Sequence, residues 1–388
     1  MHSTIASAKD YSEGKTPPIW VTDGETNVDH LCGFGQDYLW LRYPLEGNFV
    51  FELESKDGNW AESAIVVDGL RLGAIGSSNA VYLKSQSGDD WVLFNTKAVK
   101  KNQWNHYTVT MDDEFLSYRV NGTLVYREDR SRSSPWIGLH SEGNKKTMVR
   151  NLSITGTPTI PREVNLIPDG NLRGWSGQYF GVKLPAANVN INKREKEAKT
   201  PRRYRSNPKV AQINNLAWTV KDGELVSGEM DKRGFNGQSC IRYERPLGDG
   251  ETIRYEFFYE PGKTEIHPTI GRVAYMLRPE GVHLHWMNAG STSWKIPPDY
   301  EVPVPESDPQ PCVLIPRQWN KVELDRNGNH LQIAVNGETV FDQEAQSRLG
   351  DMVFGLYHNG TKTSARIRNV TLRGNWPDNL PANLFVAE

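Results

Sequence analysis

Short stretches in which apolar and polar side chains strictly alternate recur along this 388-residue chain. In Asn48-Phe49-Val50-Phe51-Glu52-Leu53-Glu54, the residues Phe49, Phe51 and Leu53 fall on one face, the period of a half-buried β-strand. Thr252-Ile253-Arg254-Tyr255-Glu256-Phe257-Phe258-Tyr259-Glu260 reads the same way over a longer, more aromatic run. The pattern places further strands near 19–21, 37–43, 63–67, 69–74, 79–84, 91–94, 105–111, 114–120, 123–127, 135–140 and 147–156. Later ones fall at 216–220, 223–229, 239–244, 271–278, 281–287, 312–315, 319–326, 329–335, 338–342, 352–357 and 364–374. No amphipathic helix of normal length emerges. Many short strands with turn residues between them mean sandwiches or barrels.

The second half repeats the first. Trp104-Asn105 precedes a strand, then Asn121-Gly122, a strand, Gly138-Leu139, and a strand opening on Arg150-Asn151. Trp319-Asn320, Asn336-Gly337, Gly355-Leu356 and Arg368-Asn369 follow in the same order. Trp104 to Asn121 and Trp319 to Asn336 are both 17 residues. A repeat this long is a domain rather than a solenoid unit. Asn-Gly between alternating runs is the strongest short hairpin signal, because a type I′ turn needs two residues that tolerate positive φ. The expectation is a loose N-terminus over 1–18, a first β-sandwich over 19–157, a linker at 158–164 and a second sandwich over 165–388. The second carries two inserted loops, 181–212 and 296–311. The first is basic, with Lys193-Arg194-Glu195-Lys196 and Pro201-Arg202-Arg203-Tyr204-Arg205, and reads as a surface loop or short exposed helix.

Composition narrows the function. Thirty-four Gly and 23 Pro suit many turns, and aromatics are frequent. A net charge of −2 gives no reason to expect nucleic acid or an acidic membrane as partner. No apolar run approaches the ~20 residues that span a bilayer. Residues 1–18 lack the apolar core of a signal peptide, which reads as a cytosolic protein or a mature fragment. Cys32, Cys240 and Cys312 are odd in number and widely spaced, so neither a disulfide framework nor a zinc knuckle organises the fold. A Cys240–Cys312 disulfide and three buried thiols both remain open.

The motif order in both halves resembles the last sheets of concanavalin A-like lectin/glucanase jelly rolls. The second half is also similar to a bacterial family known as domain of unknown function 1583. The residues that carry this are Tyr255–Gly262, Ile266-His267-Pro268 with Gly271-Arg272, Gly281–Trp286, Phe354–His358, Arg366–Val370 and Arg373–Pro377. Asp169-Gly170-Asn171-Leu172-Arg173-Gly174-Trp175 resembles the opening of 3-keto-glycoside hydrolase-like jelly rolls. The resemblance implies an all-β chain of two tandem jelly-roll sandwiches, a polysaccharide or oligosaccharide as ligand, and residence outside the cytoplasm within a larger protein or assembly.

Chemistry-bearing residues concentrate in the second half. His283 and His285, two apart on one strand, share a face, with Leu284 and Trp286 on the other. With Leu284 inward, the histidines look onto an open, concave side. The candidate ligand-binding set is His267, Arg272, His283, His285, Trp286, Trp294 and His358, with Trp294 stacking on a sugar ring. The alternative is a glycoside-cleaving enzyme that uses Glu256 or Glu260 with a histidine. At i and i+4 the two residues sit ~13 Å apart at Cα; their side chains can lean together to the ~6.5–9.5 Å of an inverting pair but hardly to the ~5–5.5 Å of a retaining one. Surface acids paired with Arg254 or Arg272 are the plainer reading. A third reading is a structural or adhesion segment of an extracellular protein.

A metal on His283 and His285 would need Glu256 or His267 as a third ligand. No cofactor is expected; a structural Ca²⁺ on exposed loop carbonyls and acids stays open, although no acidic loop has the ligand density to name its site. The first half has Tyr82 and Lys84 in place of the His283/His285 strand, and shows no clustered titratable pair. His140 and His358 are read as equivalent repeat positions with a structural role. The Asn-x-Ser/Thr triplets at Asn121, Asn151, Asn359 and Asn369 are better explained by turns and strand chemistry than by glycans.

Overall fold

The computed structural model describes residues 2–5, 20–22, 28–30, 37–56, 61–75, 80–85, 91–143, 148–168, 172–179, 202–204, 218–227, 238–262, 266–271, 273–286, 301–303, 310–344, 352–359 and 365–381. Among the described residues there are strands and no helices, arranged in four antiparallel sheets. The chain forms two compact units. The first comprises Met1–Pro161, Asn190–Arg205 and Trp376–Glu388; the second comprises Arg162–Val189 and Ser206–Asn375. The units are therefore not two consecutive stretches, as the repeat alone suggests. The chain returns to the first unit twice.

In the first unit, sheet 1a runs in the order His2–Ile5, Asp37–Trp40, Gly138–Gly143, Ala61–Val67, Leu70–Ile75, Ala80–Ser85, Trp91–Asn95, Arg202–Tyr204. Sheet 1b runs Thr123–Asp129, Phe115–Val120, Trp104–Met111, Glu46–Lys56, Met148–Thr159, Val28–His30, Trp20–Thr22. In the second unit, sheet 2a runs Trp175–Tyr179, Gln238–Pro246, Val353–Asn359, Ile266–Ile270, Val273–Arg278, Gly281–Trp286, Glu301–Pro303. Sheet 2b runs Glu338–Glu344, His330–Val335, Gln318–Asn327, Glu251–Tyr259, Arg366–Gly374, Glu224–Val226, Thr219–Lys221, and Glu163–Asn165 also pairs with Arg366–Gly374. Over seven strands the orders in 1a and 2a correspond one to one, as do those in 1b and 2b. Within the basic segment read as a loop or helix, Arg202–Tyr204 is a strand that pairs with Trp91–Asn95.

Alternation sets which face each strand buries. Phe49, Phe51 and Leu53 of sheet 1b meet Ile65, Leu72 and Leu139 of sheet 1a in one core. Each such fully buried side chain contributes about 1.5–3 kcal/mol. In the second unit Tyr255 of sheet 2b reaches Phe354 of sheet 2a (6.2 Å between ring centres), and Tyr275 meets Phe341 edge-on (4.9 Å).

The repeated motifs are parts of the scaffold. Asn105 is fully buried; its Oδ1 accepts from Lys100 N and from Asn121 Nδ2, and its Nδ2 donates to the Lys100 and Gln103 carbonyls. Asn320 does the same with Ile315, Gln318 and Asn336. The turn asparagine of Asn-Gly thus clamps the Trp-Asn strand, and it takes positive φ in both units (48° at Asn121, 52° at Asn336). Arg-Asn marks a β-bulge. Asn151 and Asn369 adopt φ 56° and 54°, and the strand register shifts there. The bulge aims Arg150 and Arg368 at Trp104 and Trp319, 4.0 and 4.1 Å from the ring centres.

Candidate functional site

The glutamate proposed as catalytic belongs to that scaffold. Arg368 Nε donates to Glu256 at 2.7 Å, as Arg150 Nε donates to Glu54 at 2.6 Å in the first unit. Glu256 and Glu54 face equivalent partners, Lys321 and His106, across their sheets. The arginine partner is therefore not Arg254, and Arg272 lies outside the described residues. Arg254 instead pairs with Glu323 at 2.6 Å and holds that carboxyl below its ordinary range. Glu256 lies on sheet 2b, on the face away from the core, whereas the candidate histidines lie on sheet 2a. Glu260 follows the same strand, half-buried at its end. The structure does not bring either carboxylate to the histidines.

On sheet 2a, Leu284 faces inward and His283 and His285 face the other way. Their neighbours on that outer face are His267, Tyr357, Met276, Ala274 and Cys240. Tyr357 Oη lies 3.5 Å from His285 Nε2, and its ring is 6.3 Å from that of His267. This face is not the open hollow expected from the sequence. His285 is 4% exposed, Tyr357 0% and His267 2%, while the His283 side chain keeps 23%. Cys240, Ala274, Met276 and Tyr357 pack there as a small apolar cluster. Burial pushes the Cys240 thiol to about 12 and the Cys312 thiol to about 11; both are free thiols, not a disulfide. In a variant lacking Cys32, neither thiol should react with Ellman's reagent at pH 8 until the protein is unfolded. Rapid reaction in the native state would contradict their burial.

His358 does not join this face. Its Nδ1 lies 3.2 Å from Ser227 Oγ, which accepts from Ala365 N at 2.7 Å, so the ring points between the sheets. Strand register also corrects its repeat partner. His140 and Tyr357 occupy equivalent positions beside Tyr38 and Cys240, and His358 matches Ser141. Trp286 ends the strand Gly281–Trp286 with its side chain outside the described residues, as are Arg272 and Trp294 entirely.

The first unit holds a cluster that the sequence reading missed. Arg71 Nη1 lies 3.3 Å from His140 Nε2, and Tyr38 packs 4.4 Å from the His140 ring and 5.3 Å from Trp40. The Tyr82 and Trp40 rings lie so close over Gly73 and Gly138 that a Cβ would come within 2.6 and 2.9 Å of them. Alternation in Tyr38-Leu39-Trp40 was the available signal; the partner Arg71 lies on a strand that only register brings alongside.

Beside His267 the second unit has a pocket of about 210 Å³. Its cause is in the sequence. Pro268 has no N–H for the ladder, and pairing between Ile266–Ile270 and Val273–Arg278 is confined to Thr269–Ala274 and Ile270–Val273. In the gap, His267 Nδ1 accepts from Leu277 N at 2.9 Å, which fixes that ring as the neutral tautomer with its proton on Nε2. The pocket is floored by buried Phe257, Ile266 and Leu277. Tyr259, Arg278 and Glu280 surround it, and Glu280 is 61% exposed and 3.9 Å from His283. At the equivalent end of the first unit Ser55 and Ser63 stand in place of Phe257 and Ile266 and bond to each other at 2.5 Å. Among the described residues, no group of three or more His, Cys, Asp or Glu side chains could hold a metal.

Comparison with known proteins adds the following. A domain of unknown function, DUF1583_N, matches residues 232–379, and a protein of unknown function, DUF1581, matches residues 108–206. The first falls on the half that resembles domain of unknown function 1583; the second spans the end of the first unit and the basic segment. No curated protein matches. Among solved structures the chain is similar to the carbohydrate binding module CBM66 from Bacillus subtilis, at 10% identity and TM-score 0.30 over 36% of this chain and 92% of that one. It is also similar to sheep galectin-11 (9%, TM-score 0.25, 30% and 95% covered) and to the Caenorhabditis elegans galectin LEC-6 (15%, TM-score 0.25, 36% and 96%).

Proposed function

We propose that the chain is two copies of one jelly-roll module and that the second copy binds a saccharide in the pocket beside His267. The reading includes residence outside the cytoplasm. One observation supports it most: an apolar, partly aromatic floor surrounded by hydrogen-bonding groups, at a place where the first unit has a closed serine pair. A sugar ring has the matching character. Its C–H face suits Phe257 and Tyr259, and its hydroxyls need partners such as Arg278 and Glu280, since a buried hydroxyl without one costs about 1–3 kcal/mol. Glu256 is taken up by Arg368, which counts against the glycoside-cleaving alternative built on Glu256 or Glu260.

Isothermal titration against a polysaccharide and oligosaccharide panel tests this. Arg278→Ala and Glu280→Gln should each weaken binding by about tenfold or more, as expected for a hydrogen bond to a charged group. Both residues are at least partly exposed, so the fold should survive. If both variants bind like the parent, the saccharide sits elsewhere; if no glycan binds the parent, the reading is wrong.

A further inference from the structure

We infer that the pocket selects saccharides bearing a methyl group, either a 6-deoxy sugar or an acetylated one. This rests on reading the pocket as a saccharide site. Its depth and its mouth differ in chemistry. Phe257, Ile266 and Leu277 are 2%, 1% and 4% exposed and offer only carbon to whatever reaches them. Gly262, Pro279 and Glu280 at the opening are exposed, and charge is confined to the Arg278-Pro279-Glu280 turn. A hydroxyl set against these three carbon side chains, away from the His267 ring that also lines the pocket, gives up water and gains no partner from them, while a methyl group gains by leaving water.

The volume sets the size of the guest. About 210 Å³ is the liquid share of about seven water molecules, enough for one sugar residue rather than a chain. The ligand's own polarity sets its orientation: apolar end to Ile266 and Leu277, hydroxyls to Tyr259, Arg278 and Glu280. One methyl on an apolar floor discriminates by roughly 10- to 200-fold. The first unit shows the contrast, with Ser63 at the position of Ile266 and Ser55 at that of Phe257.

The test uses the full chain and matched sugars: L-fucose against L-galactose, L-rhamnose against L-mannose, and N-acetylglucosamine against glucose. Saturation-transfer NMR gives both affinity and the protons in contact. The methyl-bearing member of at least one pair should bind about tenfold tighter, with its methyl protons receiving the strongest transfer. The first two pairs report a deoxy methyl and the third an acetyl. Ile266→Ser should bring the ratio to within about twofold. Equal binding within every pair, strongest transfer to ring protons, or a panel in which only unsubstituted glycans bind would overturn the inference and leave the saccharide site standing. Absence of binding by every sugar and every panel glycan would overturn the site itself. If Ile266→Ser does not fold, the parent's affinity ratios and contact protons still decide.

Discussion

Glu251→Ala should destabilise the second unit by about 3–5 kcal/mol, because it strands a buried cation. Arg245 and Glu251 are 2% and 3% exposed and meet through both terminal guanidinium nitrogens, with Arg245 Nη2 2.7 Å from Glu251 Oε1. Gly248 N also donates to this carboxylate at 2.5 Å. The pair therefore fastens the turn between Gln238–Pro246 of sheet 2a and Glu251–Tyr259 of sheet 2b, the strand that ends at the pocket. Replacing both partners together by Met and Leu should restore most of the loss, since a well-packed apolar pair is often neutral or better than a buried ion pair. Urea unfolding of the two variants checks this. A single variant within 1 kcal/mol of the parent would show that the pair is solvated in solution.

Trp175→Ala should cost a similar amount, about 3–5 kcal/mol, by a different route. The indole is fully buried, 5.1 Å from Tyr243 and 6.1 Å from Phe354, and its Nε1 donates to the Leu166 carbonyl at 2.6 Å. Truncation opens a cavity between the sheets and leaves that carbonyl without its donor. Trp175→Phe should recover the packing but not the bond, and so fall between the two. Equal stability of all three proteins in thermal unfolding would show that this end of the sandwich relaxes freely.

The scaffold was legible because its signals are local. Asn-Gly, Trp-Asn and Arg-Asn each encode a turn, a clamp or a bulge within a few residues, and alternation puts Leu284 and the two histidines on opposite faces of one strand. The site was less legible because its determinants lie across strands. An arginine partner for Glu256 is the plainer reading of the sequence, but only the register of Arg366–Gly374 shows that it is Arg368. His283 and His285 were correctly placed on one face, but alternation cannot report what buries a face. His140 and His358 read as repeat partners in sequence, whereas strand register matches His140 to Tyr357 and turns His358 into the interior. Pro268 interrupts the ladder, yet its effect, a gap filled by a histidine ring, depends on Leu277, nine residues on.

The return of the C-terminal segment to the first unit has a practical corollary. Trp376 sets its ring 5.7 Å from Trp136, and Leu380 packs against the first core. A fragment cut at the linker would lack both, so the first sandwich expressed alone should melt below its counterpart in the intact polypeptide. Dissecting this protein into halves calls for grafting the tail back, not for a cleaner scissor point.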